Sequence, residues 1–112
     1  MEKGSIANQC GVSTMSHLVF CTFDLKDASL EDYRNAFADL EGIGLTRVQK
    51  SDKGDATTIP TTSAMGRFHG KSSVEVRDDV RSRVKAAFVA RRFRSEFFVA
   101  VGEHWAWAAE KT

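Results

Sequence analysis

The chain has 112 residues, of which 42% are hydrophobic and 28% charged, and its formal net charge is +1. That length supports one domain with one modest core and is too short for two, and that composition excludes a disordered or fibrous chain. A charge so close to neutral leaves any nucleic-acid partner to a local patch, and no apolar run approaches the roughly 20 residues that span a bilayer.

Met1 to Thr14 mix Gly, Ser, Asn and Gln without periodicity, so residues 1–15 read as a disordered leader and 16–112 as a single domain. The opening Met1-Glu2-Lys3-Gly4 lacks the apolar stretch of a signal peptide, which makes a cytoplasmic location with no membrane partner the expectation. Cys10 falls in the leader and Cys21 among apolar neighbours, a placement that predicts neither a disulfide nor a metal pair; Cys21 reads as a small buried hydrophobe.

Leu18 to Phe23 are apolar except for Thr22, which predicts a strand buried on both faces and ending at Asp24. After the turn Lys26-Asp27-Ala28, Ser29 and Asp32 form a capping-box pattern, and Leu30, Tyr33, Phe37 and Leu40 make one apolar stripe of a helix ended by Gly42 and Gly44. Thr46 to Lys50 predicts a second strand and Ser51 to Asp55 a turn. Thr57 to His69 predicts a third strand interrupted or bent near Pro60, which cannot donate to a ladder, with Thr61 to Phe68 as its best-paired part.

Ser72 and Glu75 predict the start of a second helix, with Val76, Val80, Val84, Ala87 and Phe88 as its buried stripe and an end near Arg92. Glu96 to Val101 predicts a fourth strand, and the alternation Trp105-Ala106-Trp107-Ala108-Ala109 a short terminal one. The predicted fold class is α+β, a ferredoxin-like βαββαβ sandwich with a short extra C-terminal strand. Two helices cover only one face of such a sheet, so the other face predicts a homodimer; Trp105 and Trp107, on one face of the terminal strand, read as part of its seam or as a surface on which bases stack.

Phe23-Asp24 at a strand end and the string Arg47-Val48-Gln49-Lys50-Ser51 give residues 17–51 a recognisable layout. In both, the chain resembles the small CRISPR-associated adaptation nucleases and their VapD-like and GhoS-like toxin–antitoxin relatives, which are dimeric ferredoxin-like proteins. That resemblance implies Asp24 as catalytic residue and metal ligand, sharing a divalent ion such as Mg2+ with its symmetry mate. A hard cation suits carboxylate oxygens, keeps several waters, polarises a phosphate and generates hydroxide. The family continues its Lys-Ser pair into an aromatic strand carrying an acid, where this chain places the polar residues Asp52 to Thr58.

Asp24 also has the ordinary reading of a strand-end acceptor in the following turn, and Asp27 reads either as a second ligand or as a charge near the helix start. Arg47 and Lys50 read as phosphate clamps or as solvated strand charges. Arg81, Lys85 and Arg92, joined by Arg91 and Arg94, form a basic row on the second helix that could neutralise phosphates. Asp78 and Asp79 lie among them at spacings that allow surface pairs such as Asp79 with Arg83. His17, His69 and His104 are too scattered to suggest a transition-metal site, and Gly42-Ile43-Gly44 ends a helix where a phosphate loop would open one.

Two functions from different classes follow. One is a metal-dependent endonuclease on RNA or DNA; the other is a non-catalytic dimeric regulator that binds nucleic acid or a protein partner, antitoxin-like or phage-related. The fold hosts both.

Overall fold

The computed structural model describes residues 15–112, so the expected leader and Cys10 lie outside the described residues. The chain is α+β, with two helices packed on one face of an antiparallel three-stranded sheet and a separate two-stranded hairpin. Its elements are β1 (Met15–Leu25), α1 (Leu30–Ile43), β2 (Val48–Lys50), β3 (Ala56–Thr58), β4 (Ser63–Gly70), α2 (Ser73–Ala90) and β5 (Ser95–Gly102).

The sheet order is β4-β1-β5, with β1 in the middle. Its registers set Val19 opposite Gly66 and Val101, and Phe23 opposite Phe97. Successive strand residues point to opposite faces, so Val19, Cys21, Phe23 and Leu25 join Phe97, Val99 and Val101 beneath the helices. The alternate residues Leu18, Phe20, Thr22 and Asp24 face away from the helices and are half-buried or exposed in the single chain. The run is apolar throughout, but α1 and α2 cover only one of its faces.

Both helices start as their sequences predict. Ser29 accepts from the Asp32 amide at 3.1 Å while the Asp32 carboxylate accepts from the Ser29 amide at 3.0 Å. Ser72 accepts from the Glu75 amide at 3.1 Å, but Glu75 reaches one residue further back, to the Lys71 amide at 3.0 Å. Leu30 was expected on the buried stripe of α1 and is 77% exposed, because it is the first helical residue and lies beyond the sheet contact.

Both helices end in Schellman turns. In α1 the Leu45 amide bonds the Leu40 carbonyl at 2.8 Å, with Gly44 in the left-handed conformation at φ 115°. In α2 the Phe93 amide bonds the Phe88 carbonyl at 3.0 Å and the Arg92 amide bonds the Val89 carbonyl at 2.9 Å, and the left-handed residue is Arg92 at φ 62°. Phe88 and Phe93 rings meet edge-to-face at 5.6 Å, supplying the hydrophobic contact of the motif.

The core is an aromatic knot between β1 and the helices. Phe23 packs on Phe37 at 5.2 Å and on Phe88 at 5.5 Å, and Phe88 reaches Phe97 at 6.1 Å. Val76, Val80, Val84 and Phe88 of α2 are all buried, as their spacing predicts. Burying a side chain of this size contributes about 1.5–3 kcal/mol.

Thr57 to His69 is interrupted at Pro60, one of the two forms its sequence allows, leaving β3 and β4 on either side; β3 pairs with β2 in a hairpin instead of extending the main sheet. The segment from Thr46 to Lys50 meets that sheet through one backbone bridge, the Thr46 amide bonding the Met65 carbonyl at 2.8 Å, and through the Gln49 side-chain amide, 3.0 Å from the same oxygen. One strand expectation is corrected. Trp105 to Ala109 form no strand, since the segment leaves the sheet after Gly102 and runs irregularly beside the hairpin.

Candidate functional site

Asp24 is the penultimate residue of β1, on the open face of the sheet, and is exposed. Its Oδ1 accepts a hydrogen bond from the Tyr33 hydroxyl at 3.2 Å. The same hydroxyl lies 3.1 Å from both the amide and the carbonyl of Leu25, so α1 pins the end of β1 through one tyrosine. The antiparallel register puts Glu96 of β5 directly opposite Asp24. Directly opposed side chains in such a pair have Cβ atoms about 4.5–5.5 Å apart, so the two carboxylates share one shallow groove. Thr22, Phe23, Phe97 and Phe98 complete its lining.

Lys26 offsets part of this negative charge, with its Nζ 3.8 Å from Glu96 Oε1. Asp27, the other candidate ligand, is paired with Arg94 at 2.8 Å and does not line the groove. His17 is fully buried on the helix side of β1, with Nε2 3.5 Å from Glu103, while His69 and His104 are exposed elsewhere. Among the described residues no group of three or more His, Cys, Asp or Glu side chains is assembled to hold a metal ion. Asp24 and Glu96 are two hard oxygen donors, a set that fits a magnesium-type ion whose remaining ligands are water or phosphate.

The basic candidates are dispersed. The Arg47 guanidinium lies over the Phe37 ring of α1 at 4.1 Å. Arg81 pairs with Asp78 at 3.6 Å, Arg83 with Asp79 at 3.2 Å, and Arg91 forks onto Asp39 at 2.9 and 3.0 Å, tying α2 to α1. Much of the α2 row is thus a salt-bridged surface, with Lys85 and Arg92 exposed on it. None of Arg47, Lys50, Arg81, Lys85 and Arg92 lines the Asp24 groove.

Lys50 instead lines a second and larger cleft, of about 510 Å³, between the β2–β3 hairpin and the C-terminal segment. Ser51, Asp52, Lys53, Asp55 and Thr57 form one wall, and Trp105 to Ala109 the other. The Arg67 guanidinium, on the open face of β4, sits over the Trp105 ring at 5.1 Å. Cys21 is enclosed in the core, where burial pushes its thiol up to about 11, which removes it as a nucleophile at neutral pH.

Sequence reasoning singled out Asp24 and missed Glu96. The available signal was the equal distance of the two acids from the ends of paired apolar strands, which becomes a contact only once the antiparallel register is known. No helix among the described residues is long and apolar enough to cross a membrane. In comparisons with known proteins, no family model, no curated protein and no solved structure matches the chain.

Proposed function

We propose that this chain is a ferredoxin-like homodimer acting on nucleic acid, in which Asp24 and Glu96 hold a divalent metal ion for phosphodiester cleavage. The observation that carries this reading is the register setting those two carboxylates side by side on an open sheet face. The ferredoxin-like assignment is supported by the order β4-β1-β5 together with the Thr46 bridge to Met65, which sets the start of β2 outside β4. Two split βαβ units produce that succession of strands. A second copy is supported by the open face itself, where Leu18 and Phe20 are half-buried and Phe98 is 62% exposed without a covering helix.

When bound, a magnesium-type ion would polarise the scissile phosphate and lower the pKa of its own water. The chain's own residues hold and shape that site. Tyr33 fixes one Asp24 oxygen and leaves the other available, Lys26 moderates the repulsion from Glu96, and Phe98 lines the groove with apolar surface. A non-catalytic binding module is the second reading, favoured by the partners that both carboxylates already have in Tyr33 and Lys26.

Labelled single-stranded RNA and duplex DNA, incubated with magnesium or chelator, separate the two. Metal-dependent cleavage that disappears in Asp24→Asn and in Glu96→Gln is the expected result. Cleavage indifferent to both substitutions excludes the metal role, and retention of nucleic acid without cleavage leaves the binding module. A solely monomeric mass by light scattering at micromolar concentration would remove the dimer.

A further inference from the structure

The cleft between the β2–β3 hairpin and the C-terminal segment brings Lys50 and Lys53 to the same opening as Trp105 and Trp107, side chains more than fifty positions apart in sequence. Neither indole belongs to the hydrophobic core or to the side chains packed against it. Both are half-buried in a wall otherwise made of alanines, facing a wall of hydroxyls and charges. Arg67 lies over the Trp105 ring and helps fix that indole in position. Large π-surfaces held outside the core, next to lysines at an open cleft, have the composition of a base-stacking platform beside a phosphate contact.

We propose that this cleft binds single-stranded nucleic acid, with bases stacked on Trp105 and Trp107 and phosphates met by Lys50 and Lys53. The inference rests on the reading that the protein acts on nucleic acid, and it specifies the strandedness of that ligand. A duplex hides its base faces in its own stack and cannot use the indoles. Lys50 and Lys53 are balanced by Asp52 and Asp55 in the same lining, so stacking supplies most of the affinity. With about two phosphates neutralised, the slope of log affinity against log salt is shallow, roughly −1.4 for a single strand.

The test uses the protein's own fluorescence, because both of its two tryptophans line the cleft. Titration with oligouridylate or oligothymidylate in chelator is expected to quench the emission to saturation with the shallow salt dependence given above, the two arms showing whether RNA or DNA is preferred. Trp107→Ala is expected to weaken binding roughly tenfold or more. Trp107→Phe, which keeps a π-face, restores much of it and separates loss of stacking from loss of folding. The chelator decouples this test from cleavage, so saturable quenching is expected even if the metal site fails. No quenching by either oligomer, or equal affinity for a duplex of the same sequence or for a free mononucleotide, overturns the proposal.

Discussion

Gly66 of β4 lies against the backbone of Gly44, so close that a Cβ at position 66 would stand 1.9 Å from the Gly44 carbonyl oxygen. This contact seats the end of α1 on the sheet, and Gly44 itself needs its left-handed φ of 115° to close the helix. Neither backbone segment can rotate aside as a side chain would. Gly66→Ala is therefore expected to destabilise the fold by about 3 kcal/mol or to prevent folding, as overpacking of a close-packed contact does. Gly42→Ala is the control, since nothing lies within 4 Å of its Cβ position; inside α1 it should add about 0.5–1 kcal/mol. Urea midpoints that move together for the two variants would contradict this account.

Arg92 occupies the position where a Schellman turn ordinarily has glycine, at φ 62°. A side chain in that conformation costs about 1 kcal/mol, and the adjoining hydrogen bonds from Arg92 and Phe93 do not depend on it. Arg92→Gly should raise stability by about 0.5–1 kcal/mol, visible as a higher melting temperature. If the guanidinium also serves as a phosphate contact, the same variant binds nucleic acid more weakly while melting later.

Cys21 is completely enclosed, and burial raises its thiol from 9.0 to about 11. The folded state favours the neutral thiol, so its contribution is whole below pH 9 and is lost as the pH rises through about 11. In a Cys10→Ser background, a disulfide reagent should label Cys21 only as fast as the protein opens, and urea stability should fall between pH 9 and 11. Rapid stoichiometric labelling of the folded protein at pH 8 would show the thiol to be accessible.

Asp24 and Glu96 oppose each other across β1 and β5, and like charges in that relation destabilise a sheet. Glu96→Gln should stabilise the isolated protein by about 0.2–1 kcal/mol while lowering any metal-dependent cleavage. A site that costs stability and yields function on the same residue is the expected trade. Loss of both stability and cleavage would instead mark Glu96 as structural, acting through its Lys26 pair.

Local pattern was enough to place the two helices, because a cap is fixed by residues three positions apart and a buried stripe by a spacing of three and four. Ser29 with Asp32, and Val76 through Phe88, needed no knowledge of the rest of the chain. Asp24 at a strand end was legible for the same reason. What the sequence could not decide were relations between distant segments. The residues before Pro60 paired with β2, the hairpin left the sheet after a single bridge at Thr46, and the tryptophan segment became a cleft wall instead of a strand. Those outcomes depend on which backbone groups find partners, and on two helices covering just one sheet face. The same long-range register brought Glu96 to Asp24 and Lys50 to Trp107, since antiparallel pairing and chain return are set by the packed whole and not by neighbours in sequence.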